Sequence, residues 1–111
     1  MNLFTRAPEP DENHKAAIER ILSHASPPIP FDEIKIRRPK HLVSSWRSVV
    51  AWAMYNFHGV TQASIAGWLG LHPRHVHRLV HAVEAIANSE AIEHTTTREV
   101  LKQIREAAQQ S

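Results

Sequence analysis

Gly70 separates two apolar stripes of helical period, and no other feature of the chain narrows its fold so much. Before it, in VTQASIAGWL, Thr61 is placed to cap a helix, because its hydroxyl can accept from the unpaired amides of the first turn. Ile65, Ala66 and Leu69 then fall on one face. After it, His72-Pro73 opens a second helix, since proline suits a first helical position. Val76, Leu79, Val80 and Val83 form its stripe at i, i+3, i+4, i+7. Glycine lets the chain turn between the helices with positive φ. The stripe leaves Arg74, His75, His77, Arg78 and His81 on the outer side. Two short helices, a glycine turn and an outward cationic face make the pattern of a helix-turn-helix. An αα-hairpin that binds nothing has the same outline.

Charge favours the first reading. From Lys35 to Val83 there is no Asp or Glu, while Lys35, Arg37, Arg38, Lys40, Arg47, Arg74 and Arg78 give +7; the rest of the chain carries −5. A solvated surface mixes its signs, so an acid-free run of this length points to a polyanion, whose counterions are released by each Lys or Arg near a phosphate. Six of the nine histidines lie in the same run and add charge in acid. A solubilising surface is the bland alternative.

The remaining elements follow in order. Met1 to Pro10 reads as a tail, and Asp11 to His24 as a helix with Ala17, Ile18, Ile21 and Leu22 on its apolar face. ASPPIP (25–30) stops that helix. Phe31, Ile34 and Ile36 begin a short helical turn, followed by a basic loop broken by Pro39, in which Arg37, Arg38, Lys40 and His41 are too densely cationic to be buried. Such a loop suits a DNA backbone or a minor groove, or serves solubility alone. Ser44 or Ser45 is expected to cap a core helix running to about His58, with Trp46, Val49, Val50, Ala53, Met54 and Phe57 as its stripe and Gly59 as its C-cap. Trp52 and Tyr55 lie off that stripe and are expected to cover a second packing face, while Arg47 is expected in the first turn, unfavourably for the helix dipole and so facing a phosphate or a surface acid. Thr96 with Glu99 is a capping-box candidate for a last helix carrying Val100, Leu101, Ile104 and Ala108. That helix can dock on the core or on a partner.

At the level of families, IKIRRPKHLVSSWRSVVAWAMYNFHGVTQASI (34–65) resembles the C-terminal DNA-binding domain of the bacterial replication initiator DnaA. Arg37 and Arg38 match that family's basic loop and Arg47 the arginine opening its core helix, and the likeness extends over roughly residues 31 to 88. The reading head departs from the family: Gly70-Leu71-His72-Pro73-Arg74-His75-Val76 is one residue shorter and lacks the Asp-His-Thr-Thr run. No GxxxxGK[ST] loop is present, so the resemblance implies the DNA-binding module alone, retuned.

The expected fold is therefore all-α: a small Trp-repressor-like or DnaA-like helix-turn-helix domain at 31–90, with an N-terminal tail and helix at 1–30 and a C-terminal helix at 91–111. The expected function is sequence-specific binding of double-stranded DNA by a small transcription or replication regulator of bacterial or phage origin, nucleoid-associated in the cytoplasm. Its contacts are expected from Arg37, Arg38, Lys40, His41, Arg47, His72, Arg74, His75, His77 and Arg78. A homodimer or a protein partner could form through either terminal helix. No apolar run approaches the ~18 residues of a membrane span, Met1 to Pro10 lacks the apolar core of a signal peptide, and there is no cysteine for a disulfide or a thiolate metal site. No cofactor is expected, and no catalytic arrangement stands out, because the acid-free run offers no carboxylate to orient a catalytic histidine. Two other readings stay open. His77, His81 and Glu84 at i, i+4, i+7 could hold a metal, and an exposed apolar patch around Trp52 or Trp68 would make the domain a protein adaptor.

Overall fold

The computed structural model describes residues 9–35 and 41–109, and no strand occurs among the described residues. Helix α1 spans Glu12–Leu22; the Asp11 carboxylate caps it by accepting from the His14 amide at 2.8 Å. Ala17, Ile18, Ile21 and Leu22 are all buried, as their spacing requires. The proline-rich segment leads to α2, a single turn over Phe31–Ile34 with both end residues buried.

Helix α3, His41–Phe57, starts earlier than a cap at Ser44 or Ser45 would allow. Nothing between Pro39 and Trp46 breaks a helix, and the serines are accommodated inside it, the Ser48 hydroxyl donating to the Ser44 carbonyl at 3.3 Å. Packing decides the extent of this helix. It touches each of the other five α-helices, and Val50, Ala51, Trp52, Ala53 and Met54 are buried in succession. The second packing face expected beside the stripe is present at Trp52, because other helices flank α3 on more than one side. Trp52 belongs to the centre of the core, 2% exposed, with Phe57 edge-on at 5.0 Å. Tyr55 is exposed and covers no second packing face. Beyond Phe57 the chain turns at Gly59 (φ 66°), and the Val60 amide donates to the Met54 carbonyl at 3.2 Å.

Helices α4 (Gln62–Leu69) and α5 (Pro73–Ala87) follow, with Asn88 as the C-cap of α5. A 3₁₀ turn at Ile92–His94 runs straight into α6, Thr95–Gln109. Thr96 is thus the second residue of the helix and not its cap. The start is held by Arg98, whose guanidinium donates to the Ala91 carbonyl at 2.6 Å and to the Thr95 hydroxyl at 3.3 Å. Leu101 and Ile104 are buried, and α6 docks on α3 and α5.

One apolar cluster draws on all six helices, so the segments 1–30, 31–90 and 91–111 share a core. Each fully buried Leu or Ile in it, such as Ile18, Leu22, Ile34 and Ile65, contributes about 1.5–3 kcal/mol of transfer free energy. Among the described residues no helix is long and apolar enough to cross a membrane.

Candidate nucleic-acid interface

Local chemistry builds the α4–α5 unit as its sequence predicts. The Thr61 hydroxyl accepts from the Ser64 amide at 3.1 Å and starts α4. Gly70 ends it in the left-handed region (φ 68°, ψ 34°), where the Leu71 amide returns to the Ala66 carbonyl at 2.9 Å. His72 caps α5, its Nδ1 accepting from the Arg74 amide at 3.1 Å, and Pro73 takes the first helical position. The inner face of α5 is Val76, Val80 and Val83, all buried; Leu79 is only half-buried and lies at the margin of the core.

Arg74, His75, His77, Arg78 and His81 are exposed along the outer face. Neither arginine takes an ion pair among the described residues. Arg74, His77 and Arg78 converge with Pro73 and Gln62 around one open depression, whereas His75 does not line it. Gln62 is a participant that the sequence reading missed. Its amide nitrogen lies 3.3 Å from Nδ1 of His77, fifteen residues along the chain, and its one sequence signal is a polar side chain next to the α4 cap. The His77 and His81 rings stand 4.2 Å apart at 67°. His72 is exposed, but one of its ring nitrogens is committed to the cap.

The other expected contacts divide differently. Arg37, Arg38 and Lys40 lie outside the described residues, as does the side chain of His41, the first residue of α3. Lys35 reaches Glu9 at 3.1 Å and stands over the Phe31 ring at 5.4 Å, so this cation of the acid-free run is paired with an acid from outside it. Arg47 is in the second turn of α3, 5% exposed, and its Nε donates to the Ile34 carbonyl at 2.8 Å. Burial pulls its pKa below the usual arginine value, and a guanidinium remains charged regardless. The expectation of an exposed first-turn cation is corrected: Arg47 tethers the end of α2. Lys35, Arg47, Leu69, Gly70 and Leu71 line a second open depression. Lys35, which follows α2, and Arg47 thus share this depression with the α4–α5 turn.

Two alternative sites lose their basis. Among the described residues no three His, Asp or Glu side chains are grouped so as to hold a metal, so His77, His81 and Glu84 do not form that site. Trp52 and Trp68 are both buried and offer no exposed patch. Basic side chains also gather where His14, Arg20 and His24, from α1 and just beyond it, lie around His58; burial first, then His14 and Arg20, push the His58 imidazole below its usual range.

Comparison of the chain with protein-family models, with curated proteins and with solved structures gives no match.

Proposed function

We propose that the chain binds double-stranded DNA with α5 in the major groove and with the basic stretch Arg37, Arg38 and Lys40 on the backbone or in the adjacent minor groove. It would act as a small transcription or replication regulator, in the manner of the initiator DNA-binding domain that residues 34–65 resemble. The observation that carries the reading is the outer face of α5. Two arginines one turn apart project from a helix whose opposite face is locked into the core, with no acid on α4 or on α5 before Glu84. A solubilising surface has no need to exclude acids, whereas a surface apposed to phosphates does. Arg74 and Arg78 are the side chains that can fork onto a guanine edge. Arg47 supports the interface from beneath by fixing the carbonyl of Ile34, three residues before the basic stretch begins at Arg37.

The test is a binding titration on random duplex DNA over a range of salt concentrations. On random duplex, where Arg74 and Arg78 meet phosphates in place of a preferred base, they add to Arg37, Arg38 and Lys40 to make five phosphate contacts and a slope of log Kd against log salt of about 4 to 5. Binding-site selection from a random duplex pool then yields the preferred sequence. Affinity independent of salt, or no binding, overturns the reading.

A further inference from the structure

The arginines do not account for the histidines of α5. His77 and His81 are exposed and their ring centroids are 4.2 Å apart. From the α4 side, the Gln62 amide nitrogen lies 3.3 Å from His77 Nδ1. An amide NH₂ only donates, so Nδ1 accepts, and the neutral ring carries its proton on Nε2, the nitrogen left for a ligand.

The charged surroundings of this pair are one-sided. Arg74 and Arg78 share the depression with His77. Helices α3 and α4, which pack against α5, contain no carboxylate, and α3 adds only the cation Arg47 in its described part. On α6, Arg98, Lys102 and Arg105 are cations, and the carboxylates Glu99 and Glu106 make no ion pair with either ring. Glu84, half-buried one turn beyond His81, makes none either. A carboxylate is the usual counter-ion of an imidazolium, and among the described residues none is ion-paired with either ring. A phosphodiester set on this face supplies the missing negative charge.

We propose that His77 and His81, with Gln62 as the positioning residue for His77, form a phosphate contact that takes up a proton from solvent when DNA binds. A phosphodiester oxygen accepts from Nε2–H of His77, and the proton gained completes an imidazolium on the adjacent His81. No covalent bond changes; one proton leaves the solvent for each complex formed. The inference rests on the DNA-binding reading and adds to it that affinity rises as pH falls through the imidazole range, while the arginine contacts stay constant.

The experiment measures the full chain binding a short duplex by calorimetry, near pH 6.5, in buffers of different ionisation enthalpy, together with Kd at about pH 8 and about pH 5.5. Expected are net proton uptake and a gain in affinity of about tenfold on acidification, the effect of one imidazole acquiring a phosphate partner. His77→Gln combined with His81→Gln keeps the fold, since both side chains are exposed, and should abolish the uptake; at about pH 8 it should bind more weakly than the wild type, through loss of the His77 contact, but still measurably through the arginines. Gln62→Ala should remove the fixed Nε2–H tautomer of His77, read from the nitrogen chemical shifts of its ring. Wild-type binding without proton uptake overturns the proposal and leaves the DNA reading standing. Uptake that persists in the double variant also overturns it, as does an unchanged tautomer in Gln62→Ala for the role of Gln62. Absence of binding at both pH values overturns both readings.

Discussion

Arg74 and Arg47 are both arginines of the acid-free run, and alanine at each position should have opposite consequences. Arg74, like Arg78, is exposed and has no ion pair among the described residues. Arg74→Ala and Arg78→Ala should therefore change stability by no more than about 0.5 kcal/mol. Where either guanidinium forks onto a base edge, its loss should cost about 1–3 kcal/mol on a selected duplex and much less on a scrambled one. Thermal unfolding beside titrations on the two duplexes separates the effects, and equal losses on both would demote the residue to a phosphate contact. Arg47 is buried and bonded to a backbone carbonyl. Arg47→Ala should cost about 1.5–3 kcal/mol of stability, the range for hydrogen bonds to charged groups. It should also weaken DNA binding indirectly, by releasing the segment that carries the basic stretch; unchanged urea midpoints would refute the tether. The difference between the two arginines is invisible in sequence, because the partner of Arg47 is a main-chain carbonyl thirteen residues earlier and not a side chain with a recognisable type.

Among the elements, those whose boundaries depend on local chemistry were the legible ones. Asp11, Thr61, Gly70 and His72-Pro73 each act within a few residues of themselves, and each does what its residue type prescribes. The start of α3 and the start of α6 were not legible. In the first, the helix carries its serines inside, with the Ser48 hydroxyl on the Ser44 carbonyl, and none of them serves as a cap; in the second, Arg98 reaches back to Ala91 and a 3₁₀ turn feeds the helix from upstream. The same distinction explains the site. The cationic face of α5 follows from helical period, whereas Gln62 meets His77 only because α4 and α5 fold against each other. Gly70 tests how much the local turn matters. An added Cβ would meet nothing within 4 Å, so Gly70→Ala introduces no clash and should cost about 1–2 kcal/mol through its positive φ alone. Chemical denaturation measures it. A cost near zero would mean that the turn tolerates another backbone geometry, and the fixed placement of α5 against α4 would go with it.

For the molecule as a whole, the shared core ties the α4–α5 unit to the terminal helices, and His58 lies beside α1 and α6. It lines depressions with His14, Arg20 and His24 on one side and with Ile104, Ala107 and Ala108 of α6 on the other. Burial, reinforced by His14 and Arg20, holds its folded pKa below the ordinary value. In the unfolded chain that value is about 6.5, so on acidification the unfolded state binds this proton first. Stability is thus level for this group above about pH 6.5 and falls as pH drops from there toward the lowered folded pKa. The urea midpoint should decline between about pH 7.5 and pH 5.5, and His58→Gln should reduce that decline. An equal decline in the variant would assign it to other groups. The proposed proton uptake at His77 and His81 has the opposite sign, since it strengthens binding over the same interval. Saturating DNA stabilises the folded state by RT ln(1 + [DNA]/Kd), a quantity that grows as Kd falls. The rise in melting temperature caused by a fixed excess of duplex should therefore be larger at about pH 5.5 than at about pH 8, although the free protein is weaker there. With His58→Gln in the background, the free protein recovers and the pH dependence of the DNA-induced rise remains. In the variant carrying both His77→Gln and His81→Gln, the free protein weakens as before and the extra rise disappears. If all three proteins respond alike, the two proton sites are not separate and the assignment of either one fails.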